Sequence, residues 1–98
     1  MGVRSRSSAG GAQYGLSVST AVVTLTVPAT AMCAEIYVRT ASIVFTRSGT
    51  DPTATLGTQA DPGDIIPLNS REELETIEMI RQGADATVDV EYFTDISG

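Results

Sequence analysis

Apolar and polar residues alternate along much of this chain with a period of two, the spacing that sends successive side chains to opposite sides of an extended strand. From Tyr14 onward, Leu16 and Val18, then Val23, Leu25 and Val27, fall on one side. Thr24 and Thr26 fall on the other, and Pro28 ends the run, which predicts one long strand or two. Ala34, Ile36 and Val38 alternate with Glu35, Tyr37 and Arg39. Ile43 and Phe45 follow after a break at residues 40–42, so these two runs predict a hairpin or a kinked pair. The stretch TRSGTDPTATLGTQADPGD holds three Gly and two Asp-Pro steps. Because the residue before Pro is pushed out of the α region, it reads as a loop with one short strand near residues 53–56. Residues 65–68 then read as a buried strand entered through the turn Pro62-Gly63-Asp64.

The segment SREELETIEMIRQG supports two readings. Ser70 followed by Glu73 is a capping box, Leu74 and Ile77 stand at helical spacing, and Gly83 offers a C-cap, so a three-turn helix fits. Alternatively, residues 70–75 form one helical turn and residues 76–82 a strand, joined through a four-residue loop to the strand at residues 87–93. That hairpin sets Met79 opposite Val90 and Ile77 opposite Tyr92 on one apolar face, at the cost of placing Glu78 opposite Glu91. Turn plus strand is favoured, because the last strand otherwise lacks a partner close in sequence. The pattern as a whole predicts an all-β chain, a compact β-sandwich or jelly roll of seven to eight short strands with one helical turn near residues 70–75.

Composition agrees with strands: 29 residues are Val, Ile or Thr against five Leu, and branching at Cβ suits a pleated surface. At 98 residues there is room for one domain with a thin core. The first 13 residues carry three Gly, three Ser and two Arg with almost nothing to bury, which predicts a flexible N-terminal arm at 1–13 ahead of a single domain at 14–98. Charge divides along the same line. The arm holds Arg4 and Arg6 and no acid, while the remainder has four Arg against twelve acids, within a formal net charge of −6. That balance disfavours attraction to nucleic acid. No apolar run is long enough for a membrane span and no secretory h-region is present, so a cytosolic origin is expected.

Catalytic and metal chemistry find little support. The chain has no His and no Lys, and its single Cys, Cys33, stands among small apolar residues as a buried hydrophobe would. Asp51, Asp61 and Asp64 lie in loops, and Glu72, Glu73, Glu75 and Glu78 crowd one segment. None has the apolar surroundings that make a general acid, and none follows an EF-hand spacing. The glycines near residue 50 are not followed by the Lys of a phosphate-binding loop. No catalytic residue, cofactor or metal is therefore expected, and the chain reads as a non-enzymatic binding protein.

Several short runs carry a resemblance. Leu25 to Ala29 (LTVPA), Phe45-Thr46, the Gly-Thr-x-Pro-Thr loop of Gly49 to Thr53, Leu68 to Arg71, and the closing pair Tyr92-Phe93 make residues 22–94 similar to small head decoration or capsid cement proteins of tailed bacteriophages. The resemblance implies a virion structural protein, made in the host cytoplasm, that sits on the outer capsid surface and stabilises contacts between capsomers. Its implied partner is the major capsid protein, with a second copy of the chain as a further one. A second resemblance lies in FTRSGTDPT, which looks like a loop of small fibronectin-like sandwiches appended to chitin- and hexosamine-processing enzymes. It implies a tail or host-adhesion module of carbohydrate-binding type as the alternative. Strand edges and the arm are the surfaces expected to bind, and Arg4, Arg6, Tyr14, Tyr37, Arg39 and Arg47 are the residues expected at the partner interface.

Overall fold

A computed structural model of the protein describes residues 9–94, with seven strands and one short helix. Strands β1 (Ala9–Val18), β2 (Cys33–Val38), β5 (Ile65–Leu68) and β7 (Ala86–Phe93) form an antiparallel sheet in the order β1-β7-β2-β5. Strands β3 (Ile43–Thr46), β4 (Thr58–Ala60) and β6 (Glu78–Arg81) form a second antiparallel sheet in the order β4-β3-β6. Helix α1 (Arg71–Thr76) stands between β5 and β6. The fold is thus all-β apart from that one helix, as the β-branched composition leads one to expect.

One core cluster draws side chains from both sheets. Val88, Val90 and Tyr92 of β7 and Ile36 and Val38 of β2 reach it from one sheet; Ile43 and Phe45 of β3 and Met79 of β6 reach it from the other. Leu74 and Ile77, from α1 and its C-terminal end, complete it, and each of these ten residues is less than 10% exposed. The Tyr92 hydroxyl is satisfied there by donating to Gln13 Oε1, which also accepts the Thr26 N–H at 3.1 Å. Cys33 is buried and fully enclosed at the start of β2, as its apolar neighbours suggested.

Residues 9–13, which composition assigns to the flexible arm, belong to a strand. Strand β1 begins at Ala9, with Gly11 opposite Tyr92, Ala12 opposite Glu91 and Gln13 opposite Val90. The glycines serve close packing: a Cβ on Gly10 would stand 3.2 Å from the Phe93 carbonyl carbon, a contact few side chains tolerate. Residues 1–8, with Arg4 and Arg6, lie outside the described residues.

Helix α1 stops after six residues, so turn plus strand is the reading that holds. Ser70 Oγ accepts the Glu73 N–H at 3.2 Å, Glu73 Oε1 accepts the Asn69 N–H at 2.6 Å, and Ile77 has turned extended at φ −65°, ψ 136°. The hairpin expected between residues 76–82 and 87–93, however, does not form. Strand β6 pairs with β3, Met79 opposite Phe45 and Ile80 opposite Val44, while both edges of β7 are taken by β1 and β2. With no free edge on β7, β6 must cross to the other sheet, and Met79 meets the β7 side chains through the core instead of beside them. The same crossing removes the predicted Glu78–Glu91 neighbours.

Strands β2 and β3 likewise form no hairpin, since the chain changes sheet between them. Beyond β1, Val23 makes a single bridge to Met79, and Leu25 and Val27 pack on the core without a ladder. The short strand expected near residues 53–56 is a tight turn closed by a Thr53–Leu56 bridge, and the strand lies just beyond it, at β4. Strand β5 is buried on one side only, with Ile66 and Leu68 inward and Ile65 and Pro67 outward.

Candidate binding face of the four-stranded sheet

The outer positions of the four-stranded sheet assemble two rows that run across its strands. In the first, Asp89 of β7 stands opposite Tyr37 of β2, and Tyr37 stands opposite Ile65 of β5. In the second, Glu91 stands between Ala12 and Glu35, and Glu35 stands opposite Pro67. Alternation along β7 and β2 creates these rows: the inward positions are buried, the outward ones half-buried.

Tyr14 joins the first row through an irregularity in β1. Gln13 pairs with Val90 and Leu16 with Val88, so two residues, Tyr14 and Gly15, face the single residue Asp89. Gly15 has φ +68°, which an L side chain adopts reluctantly, and its N–H donates to Asp89 Oδ1 at 2.8 Å. A strict period of two would carry Tyr14 to the core side with Leu16 and Val18. The bulge resets the phase, leaving Tyr14 67% exposed while Val18 is fully buried.

Hydrogen bonds order the cluster. The Tyr14 hydroxyl donates to Glu91 Oε2 at 2.9 Å; the Tyr37 hydroxyl stands 2.5 Å from Glu35 Oε1 and 3.3 Å from Glu91 Oε1. Arg39 Nη1 pairs with Asp89 Oδ2 at 2.5 Å. Both phenols are shifted above their ordinary value, Tyr14 first by its bond to Glu91 and Tyr37 first by its bond to Glu35, with burial and the carboxylate charges adding to both. Asp89 is shifted down, chiefly by the Gly15 N–H and further by Arg39. The cluster therefore offers neutral phenols that hold the carboxylates of Glu35 and Glu91 in place.

Of the residues expected at a partner interface, Tyr14, Tyr37 and Arg39 come together here. Arg47 does not. It follows β3 with its guanidinium 5.3 Å from the centre of the Phe45 ring, and its Nη2 donates to the Pro67 carbonyl at 3.2 Å, tying β3 to β5. Arg4 and Arg6 fall outside the described residues. Sequence reasoning missed Glu35, Asp89 and Glu91, although their outward positions in two alternating strands were the available signal.

Several other acids are built into turns and caps, while Glu78 of β6 is shifted up, first by a hydrogen bond with Asp51 and then by burial. Asp61 accepts from Ser42 Oγ at 2.7 Å and from Gln59 Nε2 at 2.9 Å, which lowers its pKa, and Asp64 Oδ2 accepts the Asp61 N–H at 2.8 Å. Arg71 reaches back from α1 to the Pro28 and Ala31 carbonyls at 2.7 and 2.8 Å and pairs with Glu75. Among the described residues no group of three or more Cys, Asp or Glu is placed to hold a metal ion. No helix there is long and apolar enough to cross a membrane. The chain matches no protein-family model, no curated protein and no solved structure.

Proposed function

We propose that the two sheets constitute a β-sandwich and that the chain is a non-enzymatic virion structural protein, a decoration or cement protein of a phage head. In this reading it binds the major capsid protein on the outer capsid surface and bridges capsomers. The observation that carries the reading is the outer face of the four-stranded sheet, where exposed aromatic and aliphatic side chains surround ordered charges. Aromatic residues and arginine are what protein interfaces concentrate, and a shallow, rigid sheet suits attachment better than turnover. The resemblance of residues 22–94 to decoration proteins supplies the partner. Many copies on one shell need modest affinity each, because attachment to a fixed lattice multiplies it.

Mass spectrometry of emptied, tail-free heads tests the proposal. The chain is expected in high copy in heads. Recovery from tails and not from heads would replace it with the adhesion alternative.

A further inference from the structure

We propose that the carboxyls of Asp51 and Glu78 share a proton and thereby form a latch, which fastens the loop at residues 47–57 to β6 and loosens when the proton passes to solvent. The latch does not depend on the capsid reading.

The end of β3 brings the two carboxyls together. Thr46, the last residue of that strand, stands opposite Glu78, the first of β6. The Thr46 hydroxyl lies 2.5 Å from the Thr50 carbonyl and donates to it, which folds the chain back at the strand end and leaves the next residue, Asp51, beside Glu78. The Thr76 hydroxyl donates to the Arg47 carbonyl at 2.9 Å and fixes the start of the same loop. Pro52 is buried directly after Asp51, and Gly57 lies close against Val44 at the far end. Between these anchors Asp51 reaches across to β6.

The pair lacks a donor. An ionised carboxylate only accepts hydrogen bonds, yet Glu78 Oε1 is enclosed and receives none from the described residues, and Asp51 brings a second carboxyl to it. The described cations are engaged elsewhere: Arg47 lies over Phe45 and donates to Pro67, Arg81 pairs with Asp85, Arg71 with Glu75, and Arg39 with Asp89. On one side of Glu78, β3 contributes the uncharged Thr46. On the other edge of β6, Ser19 and Val23 bond to the backbones of Arg81 and Met79 and add no charge. Helix α1, which leads into β6, carries besides Arg71 only the acids Glu72, Glu73 and Glu75.

A proton on either carboxyl converts the opposed acceptors into an O–H···O bond. Glu78 is accordingly held above its ordinary 4.5, first by the bond with Asp51, then by burial and by the Asp51 charge. Because the folded value is the higher one, the bond stabilises the closed loop fully below pH 4.5 and fades as pH rises through the raised value. Above it two carboxylates oppose each other at the edge of the loop, and the cover over Val44, which is 2% exposed, opens more often.

The test uses the full chain, labelled with carbon-13 and nitrogen-15 and followed by NMR from about pH 3.5 to about pH 8. The Glu78 carboxyl carbon is expected to titrate above 4.5, and Asp51→Asn, which sets a permanent donor beside it, to bring the midpoint down to that value or below. Glu78→Gln likewise donates to Asp51 at every pH. Amide exchange at residues 44–46 and 58–60 should therefore be about tenfold faster in the parent than in Glu78→Gln near pH 7 and equal in the two near pH 4, a ratio from which the intrinsic pH dependence of exchange cancels. A dispersed amide spectrum verifies the fold of each variant, and the parent's own titration decides if a variant does not fold. A Glu78 midpoint at or below 4.5 in the parent would overturn the proposal. So would a midpoint that stays raised in Asp51→Asn, since burial alone would then account for it, and so would an exchange ratio that does not change with pH.

Discussion

On the three-stranded sheet a loop covers the central outward residue, Val44, whereas on the four-stranded sheet the described residues leave Tyr14 and Ile65 exposed. Val44 of β3 points away from the core cluster yet is only 2% exposed, because the loop before β4 lies across it. A Cβ on Gly57 would come within 2.7 Å of Val44 Cγ1 and 2.8 Å of the Phe45 carbonyl oxygen. Among the described residues no equivalent loop crosses Tyr14, Tyr37 and Ile65. A small domain has little chain to spare for covering surfaces, so a sheet it leaves uncovered must be polar or be used. Here that face mixes aromatic rings with carboxylates.

The largest effect expected from breaking this contrast is at Tyr92, which stands on the same strand as Glu91 but points inward. Tyr92→Ala should cost about 3–5 kcal/mol of stability, a large part of the roughly 5–15 kcal/mol a domain possesses, as measured by chemical denaturation. Next is Gly57→Ala. With φ at +129° and the Cβ driven against backbone, the substitution should cost about 1–3 kcal/mol and lift the loop from Val44, read as faster amide exchange on β3 and β4.

Alkali should separate inside from outside in a third way. Burial raises the Tyr92 phenol from 10.0 to about 12, so the neutral form is favoured in the folded state. Its contribution is fully present below pH 10 and is lost as pH rises toward about 12. Denaturation midpoints should therefore fall across that interval, and the fall should be shallower in Tyr92→Phe. The smallest effect is expected at Tyr14→Ala, within about 0.5 kcal/mol of the parent, because an exposed ring contributes little to folding. A larger loss would show that the ring belongs to the fold and is not held ready for a partner.

Much of this was legible in the residues themselves. Ile36 and Val38 against Glu35 and Tyr37, and Val88 and Val90 against Asp89 and Glu91, alternate over lengths at which a two-residue period is unambiguous, so both strands and both of their faces follow from sequence. The cap at Ser70 and the turn at Gly63 are equally local. The three-stranded sheet was harder to read. Its strands have three or four residues, and Ile43, Val44 and Phe45 are all buried, so no alternation marks which side faces the core.

The candidate face shows the same division. Which residues point outward on β2 and β7 was available from pattern; that Tyr14 joins them was not, because it depends on a bulge whose second residue, Gly15, is tied to Asp89, 74 positions away. Nor could pattern tell that residues 9–13 belong to a strand, since Gly10, which reads as disordered in isolation, is what lets β1 approach Phe93.

By itself the sequence determined the all-β class, the long alternating strands, the short helix and the excess of acid, since each arises from side-chain sterics, backbone preference or composition over a few neighbouring residues. Tertiary structure alone decided that β6 leaves β7 for β3, that Arg47 parts from Tyr37 and Arg39, and that Glu35 and Glu91 become neighbours. Those outcomes depend on which strand edges other strands occupy, and edge occupancy is a property of the whole chain that no local window contains.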